Sequence, residues 1–288
     1  FESLGILREF KPSLVVGMGG YVSFPLVSMA AVLGIPTAIH EQNAYPGLAN
    51  RLLGRVAKVI AVSYPGTKDY FSPRRKIILT GNPVRRGVRA SHREDALRAF
   101  GLDSSRRTLL IFGGSRGARR INRAFLEAYD FFRDADDLQI IHITGEGEYD
   151  VFLKTMNTLR RTDDRVIYQC HPYLTTIDLA YAAADLVLCR AGATTIAEIT
   201  AKGIPAVLVP YPYSTAAHQE KNARYLENYG AARVVLDGDL NGRSMYEAVS
   251  ILIHDDEGLR RMRESSLSLG RPRAAEELAS LVEEQSKR

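Results

Sequence analysis

The sequence predicts an α/β protein made of two doubly wound halves, each built on a parallel sheet. Three observations carry this. Short runs of Val, Ile and Leu alternate with helical stretches, as strands covered on both faces require. Polar loops, several rich in glycine, follow those runs and would collect on one face of a sheet. At 91–107 the composition changes to the charged stretch SHREDALRAFGLDSSRR, with one short amphipathic helix ending at Gly101. That stretch is read as the linker region, dividing the chain into 1–90 and 91–288. Two such halves facing each other would bind a ligand in the cleft between them, where C-terminal strand ends meet helix N-termini.

In the first half, Leu14–Val16, Thr37–His40, Val59–Val62 and Ile77–Leu79 read as strands, with helices at Phe24–Leu33 and Gly47–Arg55. In the second, Thr108–Phe112 is a strand followed by GGSRGARR and a helix to about Phe132. Further strands are expected at Gln139–Thr144, Val166–Gln169, Asp185–Cys189, Ala206–Val209 and Arg233–Leu236. Tyr246–His254, Glu257–Ser266 and Ala274–Gln285 read as helices, the last a candidate to pack back on the first half. The uncharged run Pro12–Ile39 is long enough to span a bilayer, but its glycines and prolines break it into strand, loop, helix and strand.

Composition narrows the function classes. With 288 residues, two domains are the prior, and 45% hydrophobic with 25% charged residues is ordinary for a globular protein. Lys+Arg at 38 against Asp+Glu at 33 gives a net charge of +5, too mild to argue for nucleic acid and suited to an anionic substrate or an anionic membrane surface. Two cysteines without a CxxC argue against a disulfide framework and point to a reducing compartment. The six histidines show neither H-E-x-x-H nor H-x-H spacing, so no protein-held metal is expected.

Three strand-turn-helix units carry chemistry. TLLIFGGSRGARRINRAF, from Thr108, runs a strand into a glycine loop and a helix start; Ser115 adds a hydroxyl donor. Glycines admit a phosphate closely and a helix start supplies free N–H groups, although a bare tight turn reads the same way. The loop matches neither a P-loop nor G-x-G-x-x-G. In ADLVLCRAGATTIAEITAKG, Gly192 makes the turn and Ala193, Thr194 and Thr195 form the first helical turn. Glu198 lies three residues past Thr195; it could hold both hydroxyls of a ribose or close a T-x-x-E capping box. In YPYSTAAHQEKNA, Ser214 is a candidate N-cap, and His218 and Gln219 sit where an amide can reach a sugar hydroxyl or simply face water. The first half adds VVGMGGYVSFP, HEQNAYPG and GNPVR, each after a strand; His40–Glu41 reads either as a base with its orienter or as a satisfied, partly buried histidine.

Taken together, GMGGYVS, HEQN, GNPVR, GGSRGA, CRAGATTIAE and HQEKNA resemble the MurG family of bacterial glycosyltransferases, in that family's order and spacing over nearly the whole chain. The resemblance implies a GT-B fold of two Rossmann-like domains with a cleft between them. It implies inverting transfer of GlcNAc from UDP-GlcNAc to the C4 hydroxyl of MurNAc in undecaprenyl-pyrophosphoryl-MurNAc-pentapeptide (lipid I), giving lipid II for peptidoglycan and so for cell shape and division. No cofactor, metal or nucleic acid is implied, and the place is the cytoplasmic face of the bacterial plasma membrane, held peripherally on an anionic surface. The implied donor site is Asn43, Arg85, Ser115, Leu174, Ala193, Thr194, Thr195, Ile196, Ala197, Glu198 and Gln219. Glu198 would take the ribose, Leu174 the uracil through its backbone, Asn43 and Gln219 the GlcNAc, and Arg85 and Ser115 the diphosphate.

The family pattern opens with a strand and a G-G-T-G-G-H loop that supplies the histidine usually suggested as base. The sequence given starts at Phe1, past that point of the pattern, so no catalytic residue is assigned within it. A chain of this extent is expected to bind donor and turn over poorly. Phe24, where glycine is common, and Ala216–Ala217, where acids or amides are common, are smaller departures. Other readings are a related lipid glycosyltransferase, a UDP-GlcNAc 2-epimerase and a non-catalytic UDP-sugar-binding subunit; HEQN and HQEKNA favour the first family.

Overall fold

The structure, a computed structural model, describes residues 2–114 and 117–287. The chain forms two compact units. The first comprises 1–84, 214–222 and 271–288; the second comprises 85–213 and 223–270. A single cut at 90/91 would not separate them, because the chain crosses between the units more than once.

The first unit runs α1 (Glu2–Phe10), β1 (Val15–Gly17), α2 (Ser23–Val32), β2 (Thr37–Glu41), α3 (Leu48–Leu53), β3 (Val59–Val62) and β4 (Lys76–Leu79). Its strands form one parallel sheet in the order β1-β2-β3-β4. β2 and β3 are buried throughout, which is why they read as unbroken apolar runs. One face packs Val15, Ile39, Ile60 and Val62 against Leu7, Val27, Ala30 and Leu53 of the first three helices.

The second unit contains α4 (Arg86–Ala90), α5 (Arg93–Phe100), β5 (Arg107–Phe112), α6 (Arg119–Phe132), β6 (Leu138–Ile143), α7 (Glu146–Leu159), β7 (Ile167–His171), α8 (Ile177–Ala183), β8 (Leu186–Cys189), α9 (Ala193–Lys202) and β9 (Ala206–Leu208). The rest of α10 (His218–Asn228), whose start belongs to the first unit, leads to β10 (Ala232–Val234), α11 (Gly242–Ile253) and α12 (Asp256–Leu269). The last helix, α13 (Ala274–Ser286), lies in the first unit, where Leu281 joins Ala38, Val59 and Ala61 on the second face of the sheet.

The second sheet is parallel throughout, in the order β10-β9-β8-β5-β6-β7. From β5 the chain moves outward through β6 and β7, then returns to β8 on the other side of β5. The reversal leaves a crevice beyond the carboxyl ends of β5 and β8, the place where open α/β sheets bind ligands. α6 buries Ile121, Ala124, Phe125, Ala128, Tyr129 and Phe132, the three-four spacing of a helix lying on that sheet. α9 starts after Gly192 and ends on Gly203, whose φ of +69° glycine adopts without strain.

The expected strands all form, displaced by at most a residue or two. α1, α4, α7 and α8 were not anticipated. No helix among the described residues is long and apolar enough to cross a membrane, in keeping with the broken reading of 12–39.

Candidate functional site

The crevice of the second unit holds a cavity of about 340 Å³. Phe112 and Gly114 bring to it the end of β5 and the glycine loop, and Ile143 the end of β6. Tyr173 and Leu174 come from the loop after β7, Ile177 and Tyr181 from α8, Thr194, Thr195 and Glu198 from the start of α9, and Arg85 from the residue before α4. The first-turn N–H groups of α9 have no partner within the helix, since the first bond closes from the Ile196 N–H to the Gly192 carbonyl. A helix start of this kind attracts anionic groups.

Glu198 is the only carboxylate in that lining among the described residues, and its side chain is 3% exposed. The Arg85 guanidinium donates from Nε to Oε1 at 2.7 Å, and the Tyr181 hydroxyl donates to Oε2 at 3.0 Å. The hydrogen bond to Glu198 raises the pKa of Arg85 further. Burial first, then the Glu198 charge, holds the Tyr181 phenol well above its ordinary value, so it stays a donor. The capping-box alternative for Thr195 and Glu198 is not what forms. The N-cap is Gly192, without a side-chain bond, and Glu198 turns to Arg85 and Tyr181.

The glycine loop is fixed from behind. Gly117 has φ +73°, and a Cβ there would lie 2.1 Å from the Thr144 carbonyl oxygen, so only glycine allows the approach. Asn122 of α6 donates to that same carbonyl at 3.0 Å and faces His142 Nε2 at 3.1 Å. Ser115, expected to meet a phosphate, lies outside the described residues. Arg190 of the CRAG segment is structural: its Nη1 donates to the carbonyls of Val209 and Pro210 and pairs with Asp237.

The first unit holds a second cavity, of about 250 Å³, lined by Met18, Gly19, Gly20, Tyr21, the HEQN residues 40–43, the 47–50 turn, Thr215 and His218. Glu41 builds its wall. One carboxylate oxygen accepts from the Asn43 N–H and Nδ2, the other from the Gly47 N–H and Asn50 Nδ2. Asn43 Oδ1 accepts from Asn222 Nδ2, while Asn222 Oδ1 accepts from the Ala44 N–H. His40 is fully buried, with Nε2 at 2.9 Å from the Gly81 carbonyl, and burial lowers its pKa. It is a tie between β2 and the end of β4, while its buried Nδ1 has no hydrogen-bond partner among the described residues and the Glu41 carboxylate is engaged by Asn43, Gly47 and Asn50. Burial also lowers the pKa of His218, whose Nε2 has no hydrogen-bond partner among the described residues.

Of the residues singled out in the sequence, Arg85, Leu174, Thr194, Thr195 and Glu198 line one cavity. Ala193 opens α9; Ile196 is buried and Ala197 half-buried behind its first turn. Asn43 lines the other cavity, and Gln219 lies beside its wall residue His218, donating its N–H to Ser214 Oγ at 3.2 Å; Ser214 stands at the N-cap position of the short turn 215–217 but makes no side-chain cap bond to it, so the expected cap does not form. Tyr181 and Asn222 were missed. Asn222 stands in HQEKNA and could have been picked out there; Tyr181 lies in a plain alanine-rich helix. Among the described residues no three His, Cys, Asp or Glu side chains are placed to hold a metal ion.

Family comparison agrees with this geometry. Residues 108–278 match the glycosyltransferase family 28 C-terminal domain and residues 1–62 its N-terminal domain. A Halothermothrix orenii protein named UDP-N-acetylglucosamine–N-acetylmuramyl-(pentapeptide) pyrophosphoryl-undecaprenol N-acetylglucosamine transferase is 46% identical over 98% of this chain and 77% of its own length. The Bacillus subtilis protein of that name is 42% identical over 99% and 77%. Among solved structures, MurG of Acinetobacter baumannii superposes with a TM-score of 0.79 at 29% identity, covering 98% of this chain and 77% of the other. A UDP-GlcNAc 2-epimerase of Neisseria meningitidis reaches 0.70 at 15% identity, covering 98% and 80%, a likeness of fold alone. With its two parallel sheets and matching domain models, the chain has the GT-B fold and belongs to glycosyltransferase family 28, in the MurG family.

Proposed function

We propose that this chain is an inverting, UDP-GlcNAc-dependent hexosyltransferase that moves GlcNAc to the C4 hydroxyl of MurNAc in lipid I, giving lipid II for peptidoglycan synthesis. The observation that carries the reading is the buried Glu198 carboxylate facing a cavity at the switch point of the second sheet, beside the start of α9. A carboxylate accepts from both hydroxyls of a ribose, and the neighbouring helix start attracts the attached phosphates. Leu174 would border the uracil, and Thr194 and Thr195 the diphosphate; in the first unit, Asn43 and Gln219 would meet a sugar. Negative charge grows on UDP as it leaves; the α9 N–H groups and Arg85 stabilise it there, and an in-line displacement inverts the anomeric carbon.

The second unit is thus assigned to the donor and the first to the acceptor and the membrane. α1 and α2 pack on each other, and Ile6 and Phe10 of α1, Val32 of α2 and Leu33 just after it are exposed apolar side chains suited to peripheral binding at the cytoplasmic face of an anionic bilayer.

The test is calorimetric titration with UDP. Glu198→Ala should weaken binding by about 1–3 kcal/mol, the cost of lost charged hydrogen bonds. Unchanged affinity in a folded variant would remove the ribose assignment.

A further inference from the structure

In the first unit, Asn43 sits in a chain of hydrogen bonds that runs in one direction. The Ala44 N–H donates to Asn222 Oδ1 at 2.9 Å, Asn222 Nδ2 donates to Asn43 Oδ1 at 3.1 Å, and Asn43 Nδ2 donates to Glu41 Oε1 at 3.2 Å. Both ends are fixed: a backbone N–H can only donate, and a carboxylate oxygen accepts. Neither amide can turn over without setting like against like at both of its contacts. Asn222 comes from the part of α10 that belongs to the first unit and is fully buried, whereas Asn43 is half-buried and lines the cavity of about 250 Å³. The chain leaves one hydrogen on Asn43 Nδ2 and one lone pair on Oδ1, and the Asn43 side chain makes no other hydrogen bond among the described residues. Glu41, the only carboxylate in that lining among the described residues, already accepts two bonds on each oxygen. A sugar hydroxyl both gives and takes a hydrogen bond, so it matches a donor and an acceptor held side by side.

We infer that Asn222 is a positioning residue that acts through Asn43: it fixes which end of the Asn43 amide gives and which end takes, and so sets how the cavity holds a sugar hydroxyl. This rests on the reading that Asn43 meets a sugar. The backbone beneath is anchored without the Asn222 donor group. Glu41 takes the N–H groups of Asn43 and Gly47, and Thr67 Oγ1 lies 3.2 and 3.0 Å from the carbonyl oxygens of Asn43 and Ala44. Asn222→Asp therefore separates the two tasks of the side chain. It keeps an acceptor for the Ala44 N–H and removes only the donor to Asn43 Oδ1. The Asn43 amide then turns over to offer Nδ2 to the new carboxylate, and its donor and acceptor exchange places toward the cavity.

The experiment titrates N-acetylglucosamine into the protein, follows the Asn43 side-chain amide and its neighbours by heteronuclear NMR, and reads the affinity in a double-mutant cycle. Asn222→Asp and Asn43→Ala should each weaken the sugar about fivefold, the effect of a neutral hydrogen bond lost or misplaced. The double variant should bind no more weakly than Asn43→Ala alone, because Asn222 has nothing left to act through. Before any sugar is added, the Asn43 amide resonance should already move in Asn222→Asp, since its donor has changed partner. Asn222→Ala, which also strands the Ala44 N–H, gives a second cycle should the buried carboxylate disturb the fold. Losses that simply add, or an Asn222→Asp protein that binds the sugar as the parent does, would overturn the inference while leaving Asn43 its sugar. If the sugar shifts no resonance around Asn43 in the parent, the sugar reading of that cavity falls, and the role of Asn222 with it.

Discussion

His142 shows how one buried side chain constrains the donor unit. It has no exposed surface and is ringed by Phe125, Phe152 and Tyr168. Asn122 spends its amide N–H on the Thr144 carbonyl, so its Oδ1 can only accept, and His142 must carry its proton on Nε2. Nδ1 is then left to accept from the Tyr168 hydroxyl at 3.2 Å. Burial lowers the imidazole pKa to about 3. The unfolded chain takes up this proton near the ordinary value of about 6.5, so the folded state holds its full advantage above that pH. The advantage is lost as pH falls from there toward about 3. Urea unfolding should therefore show the parent losing about 2 kcal/mol more than His142→Gln between pH 7 and pH 5. Parallel pH slopes for the two proteins would show that this histidine is not held neutral.

The glycine loop that joins β5 to α6 depends on its neighbour strand. Gly117 sits against the carbonyl of Thr144, just past the end of β6, and a backbone oxygen cannot rotate aside as a side chain would. Gly117→Ala should lower stability by about 1–3 kcal/mol and weaken UDP binding although the new methyl touches no ligand. Gly114→Ala is the control: its φ is also positive, at +94°, but a Cβ there meets nothing within 4 Å. Equal melting temperatures for parent and Gly117→Ala would mean the loop is not braced in this way. The loop, the strands and the start of α9 were legible because buried parallel strands and glycine turns leave local patterns. α7 was not, since it buries only Phe152 and Met156 and so shows little periodicity. α8 was not because IDLAYAA is short and alanine-rich. With α8 went Tyr181, whose role comes from the strand order that sets this helix beside α9. That is a long-range arrangement no local spacing records. The same applies to Glu198, where T-x-x-E spacing allowed a cap and the choice was made by Arg85 and Tyr181, distant in sequence.

At the scale of the molecule, charge and apolar surface combine. The excess of 38 basic over 33 acidic residues is small and would hold the protein at a surface only with help. The first unit offers that help: α2 carries no charged residue, Val32 is 81% exposed and Phe10 at the end of α1 is 82% exposed. Large apolar side chains left in water on packed neighbouring helices gain by entering the headgroup boundary of a bilayer. The two contributions separate experimentally, because ionic strength weakens the electrostatic part and leaves apolar insertion nearly unchanged. The protein should float with vesicles containing anionic lipid, less with neutral ones, and the difference should shrink as salt rises. Phe10→Glu with Val32→Glu should reduce flotation at every salt concentration while leaving UDP binding as it was, since neither residue lines the donor cavity. Equal flotation with neutral and anionic vesicles at low and high salt would remove charge from the account. Undiminished flotation of the double variant would remove this face.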